Sequence, residues 1–429
     1  MSDDDYGESF LDLYTLLLYG LCLLIGGKLA SALTRQIVPP LVGEIIVGIV
    51  FGPYVWDVLP NSVLRVLGEV GLVLLLCQAG INMEFDVLRK VGIRAAVMAL
   101  CGSLLPSCIG FILAYTALNQ PIEASIAIGC SFGPTSAGIA MNVLGQTDGL
   151  LQSEIGQLIV AIAIVDDIIA LVVLSQLQAL TADSVSVLAI IIPILSALLW
   201  LGVGGAVALY VMPTVLNGIE ERQIQCTRPQ NDQEIHQQQS QQFSHVIILL
   251  FLLLPATYYT QASFLMGAFL AGLCACSHDS VGEIYSEHLS DLIEWLMRCF
   301  FGATIAFEIP ILLFNDASVI GNGFLLSLSL LGKVAIGPLL APVPVGEKRW
   351  ESRHVRDCAL VGCSMAGEAE FAFLVARFGF TEDLFSEQVY ASVVFAILLS
   401  TIVSPVMLRL SISHYADFDH QEEGKKEVP

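Results

Sequence analysis

The sequence predicts an all-α polytopic membrane protein with about thirteen spanning helices, built as two repeated halves. Three observations carry this. Of the 429 residues, 55% are hydrophobic and only 14% charged, and the mean hydropathy is +0.76; a soluble domain would carry about 25% charge. Apolar windows long enough to cross a bilayer recur along the chain, separated by polar or Pro/Gly breaks. One long polar stretch, Asn217 to Gln242, divides them near the middle.

The elements follow in order. An acidic tail, residues 1–9, precedes a first span from Phe10 to Leu33. That tail lacks the basic, Ser-rich character of a transit peptide, and the span is too long for a cleaved signal, so it stays as a helix. Pro39 and Pro40 introduce the second span, through Gly43-Glu44 to Gly52-Pro53. The third carries Gly68 to Ile81, the fourth Ala95 to Leu118 and the fifth Ile122 to Leu144. The sixth runs from Ile155 to Leu180 and the seventh from Val185 to Val211, closing a first half at residues 10–212.

Residues 213–243, with Gln237-Gln238-Gln239-Ser240-Gln241-Gln242, are expected to form a polar cytoplasmic linker. The second half, residues 244–411, places spans eight to ten near His245–Tyr259, Ala262–Cys276 and Leu289–Phe307. Spans eleven to thirteen fall near Val319–Ala341, Cys358–Phe378 and Val389–Leu410, before a cytoplasmic tail at 412–429. An odd number of spans puts the termini on opposite sides. The Lys/Arg-rich loops, with Arg35, Arg89, Lys90, Arg94, Arg222, Arg228, Lys348, Arg349, Arg353 and Arg356, place the C-terminus in the cytoplasm and the N-terminus outside.

The net charge of −22 argues against a nucleic-acid partner, which needs a basic face. Most of the eleven cysteines lie inside apolar segments, where they read as small packing residues. The seven histidines are scattered without ligand spacing, and no cofactor is indicated.

The sixth span holds Asp166 and Asp167 in an otherwise unbroken apolar run. An ionised side chain at bilayer depth costs roughly 2.5–3.5 kcal/mol or more, so such residues are rarely there for stability. The pair is read as a proton and cation site. Neighbours on a helix point about 100° apart, so the two carboxylates cannot serve one identical position. Lys333, inside the eleventh span, is a partner of opposite charge; with Lys333 on Asp166, Asp167 is free to alternate between a proton and a monovalent cation, Na⁺ before K⁺ or Li⁺.

Inverted-repeat transporters carry interrupted helices at matching positions of their halves. The fifth span contains Gly129-Cys130-Ser131-Phe132-Gly133-Pro134-Thr135-Ser136, in which Pro134 and its glycines weaken the helix. Thr135 and Ser136 could add oxygens to the site. The twelfth span contains Gly362-Cys363-Ser364-Met365-Ala366-Gly367-Glu368-Ala369-Glu370, with a break expected at Gly367. The alternative is kinking at small-residue packing sites. Glu370, Glu44 and Glu154 are possible modulators, Glu308 is expected at the outer interface, and Glu294 and Arg298 are spaced to pair along one helix.

In this order the segments resemble the monovalent cation/proton antiporter superfamily, specifically its second family of Kef-type and bacterial sodium/proton exchangers. The resemblance rests on Val165-Asp166-Asp167 with Lys333, on Gly267-Ala268-Phe269-Leu270-Ala271-Gly272-Leu273, and on Glu370-Phe371-Ala372-Phe373. It covers nearly the whole chain. It implies a homodimer in the lipid bilayer, two broken helices crossing beside the Asp pair, and elevator-like alternating access. It also implies Asp167 as the cation- and proton-binding carboxylate and Asp166–Lys333 as an ion pair. Thr135-Ser136 departs from the Thr-Asp of some relatives, and Ala369 stands where many have Gly.

The resulting expectation is exchange of a monovalent cation for H⁺ across a plasma membrane or endomembrane, without enzymatic activity. An organic-anion symporter of similar architecture is the alternative. An intramembrane aspartyl protease fits less well, because its two carboxylates normally come from different helices.

Overall fold

The long apolar runs fold as helices, the form in which a chain in hydrocarbon satisfies its own backbone groups. The computed structural model describes residues 3–34, 38–57, 61–83, 92–147, 149–180, 187–212, 214, 232–276, 279–343 and 349–426. The first half holds α1 (Asp3–Leu33), α2 (Pro40–Phe51), α3 (Asn61–Ile81) and α4 (Ile93–Thr116). These are followed by α5 (Ile122–Ser131), α6 (Ala137–Gly145), α7 (Glu154–Leu180) and α8 (Val187–Ala206). After the central polar stretch come α9 (Asp232–Tyr259), α10 (Phe264–Leu273), α11 (Asp279–Cys299) and α12 (Ala317–Ser327). Two short helices, α13 (Leu330–Val334) and α14 (Ile336–Leu340), precede α15 (Ser352–Met365), α16 (Glu370–Thr381) and α17 (Glu387–Lys426). No strand occurs among the described residues.

Seven helical stretches among the described residues are long and apolar enough to cross a membrane, or eight when α15 and α16, bent by 41° at their junction, count as one. Four further apolar helices are shorter: Pro40–Phe51, Ile122–Ser131, Ser244–Tyr259 and Phe264–Leu273. They fall within the second, fifth, eighth and ninth expected spans. Length and composition alone therefore give fewer crossings than the sequence pattern does.

Helix also extends into the segments expected to be polar tails and linker. α1 starts at Asp3, α17 continues to Lys426, and α9 begins at Asp232 inside the Gln-rich stretch. Gln, Glu and Lys are good helix formers, and lengthening an existing helix needs no new nucleus. The rest of the expected linker, 215–231, lies outside the described residues, as do Arg35, Arg89, Lys90, Arg222, Arg228 and Lys348 of the orientation argument.

The chain forms two compact units. One comprises Met1–Pro60, Val87–Ala170 and Phe301–Pro429; the other comprises Asn61–Asp86 and Leu171–Phe300. Each draws on both sequence halves. In the second unit the Ser175 hydroxyl accepts the Ser263 amide at 2.8 Å, holding the start of α10 to the end of α7.

The first unit holds the groups of the candidate site. Its core packs Met98 of α4, Leu144 of α6, Ile159 and Ile162 of α7, and Val361 and Met365 of α15. Beside that core, α13 and α14 lie backbone to backbone on α15. A Cβ on Gly337 would sit 1.9 Å from the Cys358 carbonyl oxygen, and one on Gly362 would sit 2.4 Å from that of Val334. Glycine permits this approach, and small residues bring membrane helices together in this way. The approach carries Lys333 to the α15–α16 junction.

Ten cysteines among the described residues are free thiols. Arg298 pairs with Glu294 one turn away along α11. Glu308 pairs with Arg377 of α16 at 2.9 Å.

Candidate functional site

Both expected breaks are present. Helical structure stops after Ser131 and resumes at Ala137, and it stops after Met365 and resumes at Glu370. At the first break Pro134 has no N–H to offer. At the second, Ala369 adopts φ −152°, ψ −122°, far from helix. One hydrogen bond joins the breaks, the Ser136 amide donating to the Gly367 carbonyl at 2.8 Å. The Ser136 side chain caps α6 by accepting the Ile139 amide at 3.4 Å.

Broken backbone leaves amides and carbonyls that need partners at a depth where water is scarce. Side chains of opposite character meet them here. The Thr135 amide, at the positive N-terminal end of α6, donates to Asp166 Oδ2 at 2.5 Å. The freed Pro134 carbonyl accepts from Lys333 Nζ. At the other break, Thr401 of α17 donates to the Glu368 carbonyl at 2.7 Å and Ser404 to the Cys363 carbonyl at 3.0 Å.

Among the described residues the expected Lys333–Asp166 pair does not form a direct contact, although the lysine's charge bears on Asp166. The carboxylate paired with Lys333 is Glu368, whose Oε1 lies 3.5 Å from the ammonium, and both side chains are 0% exposed. The physical reason is the second break, which turns Glu368 inward toward α13, while Asp166 is engaged by the Thr135 amide. Glu368 Oε2 accepts the Ser400 hydroxyl at 3.3 Å.

Asp166 is buried and Asp167, the next residue, is partly exposed, in keeping with their different directions on the helix. The charges that bear most on Asp167 are those of Glu370 and Asp166, both negative. Glu370 is the first residue of α16, where the helix N-terminus favours an acid. Thr135 and Ser136 are buried, and the Thr135 side chain lies against the Asp166 carboxylate. Gly133 lies close to Ser103 and Ser107 of α4, where a Cβ would come within 3.0 Å of either hydroxyl.

The structure thus brings together Pro134, Thr135, Ser136, Asp166, Asp167, Lys333, Gly367 and Glu370. It does not bring in Glu154 or place Glu44 among them. Glu154 is exposed at the start of α7, about 18 Å along the helix from Asp166 at 1.5 Å per residue. Glu44 is buried against α1 at Gly27. Sequence reasoning missed Glu368 and the Ser400-Thr401-Ser404 cluster. The available signals were two acids flanking Ala369 at a break, and three hydroxyls along one face of an apolar span.

Lys333 bears on Glu368 and Asp166 while Glu370 and Asp166 bear on Asp167, so with every group ionised the four carboxylates outnumber the one ammonium. Buried charge of one sign must be offset by protons or bound cations. Carboxylate and hydroxyl oxygens are the donors a hard monovalent cation takes.

The transmembrane sodium/hydrogen exchanger model matches residues 19–411. The chain belongs to that family. It therefore falls in the monovalent cation:proton antiporter superfamily, as the sequence pattern led us to expect. It is 25% identical over 397 residues to a Na⁺/H⁺ antiporter of Enterococcus hirae, covering 91% of this chain and 96% of that one. It is 24% identical over 375 residues to the high-affinity Na⁺/H⁺ antiporter NhaS3 of Synechocystis sp., covering 86% and 75% of the two chains. The Na⁺/H⁺-K⁺ antiporter GerN of Bacillus cereus is 22% identical over 398 residues, 90% of this chain and 94% of that one. Among solved structures, the sodium proton antiporter MjNhaP1 of Methanocaldococcus jannaschii superposes with a TM-score of 0.65 at 15% identity. That match covers 93% of this chain and 99% of the other, and it establishes the shared fold.

Proposed function

We propose that this exchanger carries a monovalent cation, Na⁺ first, in exchange for H⁺, with Asp167 as the carboxylate that holds each in turn. The observation that carries this reading is the junction of the two breaks on α7. There the buried Thr135 side chain and the Asp166 carboxylate lie together beside the partly exposed Asp167. A cation entering from water loses hydration and needs oxygens in return; these atoms supply them. A proton on Asp167 removes the charge that attracts the cation, so each ion displaces the other.

The relatives support the choice of ions, being named Na⁺/H⁺ or Na⁺/H⁺-K⁺ antiporters. The finer reading includes about thirteen spans, with the broken helices crossing at the Ser136–Gly367 contact. It further includes elevator-like alternating access, a homodimer, the N-terminus outside and the C-terminus in the cytoplasm. Glu370 fits the role of a modulator, because its negative charge bears on Asp167.

The test is dissipation of a pH gradient in proteoliposomes by Na⁺, K⁺ and Li⁺ in turn, with and without a clamped membrane potential. Cation-dependent dequenching, strongest with Na⁺, is expected. No response to any of the three cations would remove the exchange reading, and acceleration by a clamp would mark the exchange as electrogenic.

A further inference from the structure

The end of α15 away from its break carries a cluster that the ion site does not use. Arg349, Trp350, Arg353, His354 and Arg356 all lie at the start of that helix. The Arg349 guanidinium donates to the Pro338 carbonyl of α14 at 3.1 Å and sits 5.7 Å from the centroid of the Trp350 ring. Trp350 is 58% exposed and stacks with the His354 imidazole, centroids 5.8 Å apart and planes 15° from parallel.

His354 is the residue that points to a ligand. It is 1% exposed, its Nδ1 meets Cys358 Sγ at 3.1 Å, and its buried Nε2 has no hydrogen-bond partner. A buried ring nitrogen left unpaired is costly unless something arrives to meet it. Charge at this end has one sign in excess. Among the described residues three guanidiniums stand against the carboxylates of Glu351 and Asp357, the second already paired with Arg356 at 3.0 Å. Glu351 makes no side-chain cap, so the first amides of α15 add their positive end to the arginines.

We propose that this end of α15 binds the phosphate of an anionic phospholipid. Helix N-terminal amides and guanidinium forks are the donors that phosphate takes. The choice of a lipid over a soluble anion rests on Trp350. An exposed amphipathic ring beside the start of a spanning helix lies at headgroup depth. In the proposed orientation this end faces the cytoplasmic leaflet, where anionic lipid is concentrated. The indole covers His354, so an arriving headgroup displaces it and receives the Nε2 proton donor, while Nδ1 keeps its contact with Cys358. The bound lipid then staples α14 to α15, which already touch at Gly337 and Cys358. Binding here stands apart from the ion path and does not depend on the exchange reading.

The test uses the full-length protein in a neutral detergent. It is titrated with phosphatidylglycerol, with phosphatidylcholine and with inorganic phosphate, and followed by Tm and by tryptophan fluorescence. A saturable rise in Tm with phosphatidylglycerol alone is expected, with a fluorescence change that Trp350→Phe abolishes. Arg349→Gln should raise the half-saturating concentration about fivefold, the worth of one basic residue at a charged surface. His354→Phe keeps a stacked ring, removes the nitrogen and should raise it too. Arg94→Gln, at an exposed arginine on the start of α4, should leave it unchanged.

Equal stabilisation by phosphatidylcholine would mark a general lipid effect, and saturation by inorganic phosphate a soluble-anion site. Equal losses in Arg94→Gln and Arg349→Gln would mark diffuse attraction to basic residues. Any of these, or wild-type titration of Arg349→Gln, overturns the proposal. If His354→Phe does not fold, the surface variant Arg349→Gln decides alone.

Discussion

The Ser136 amide and the Gly367 carbonyl, 231 residues apart in sequence, meet at 2.8 Å and tie one broken helix to the other. Each break alone would expose backbone groups in an apolar surrounding. Together they satisfy one another and present Thr135, Glu368 and Glu370 to the acids of α7. The junction tolerates little added bulk, because a Cβ on Gly367 would already sit 3.1 Å from Ser404 Oγ. Gly367→Val should displace the carbonyl, cost roughly 1–3 kcal/mol as an overpacked site does, and slow exchange at least tenfold. Thermal melting alongside proteoliposome flux checks both parts.

Lys333→Ala removes the ammonium and leaves Glu368 buried without its counter-charge. Breaking one side of a buried pair costs about 3–5 kcal/mol, so a large fall in Tm is expected at neutral pH. An unchanged melting curve would mean that the pair is not formed.

Ser175→Ala provides a control away from the ion path. It leaves the buried Ser263 amide without its acceptor, at a cost of about 1–3 kcal/mol. Its Tm should fall while the cation dependence of exchange stays as in the wild type. A changed cation preference would tie the α7–α10 contact to the site.

Much of this could be read from residues alone. Asp166, Asp167 and Lys333 stand out because charge inside apolar runs is costly, and Pro134 marks the first break because it lacks an N–H. The partner of Lys333 could not be read. A helix break resets the angular register, so 100° spacing no longer says whether Glu368 or Glu370 faces inward. The sequence singles out Glu370 as a possible modulator, yet beside the backbone turn at Ala369 it is Glu368 that meets the lysine. The helix beginning at Asp232 was hidden for a different reason: Gln-rich composition suits both a polar linker and a helix extended from an apolar span.

Asp167→Asn keeps the shape of the side chain and removes its capacity to exchange a proton for a cation. The expected result is complete loss of pH-dependent cation flux from a protein that still folds, seen as an intact melting transition and a single species on size exclusion.

That variant also supplies the most direct test of the central claim. The measurement is Na⁺-driven dissipation of an imposed pH gradient in proteoliposomes holding equal amounts of wild-type or Asp167→Asn protein. Dequenching with the wild type and none above empty vesicles with the variant is the predicted result. Dequenching by Asp167→Asn at the wild-type rate and pH profile would contradict the assignment of cation and proton to this carboxylate.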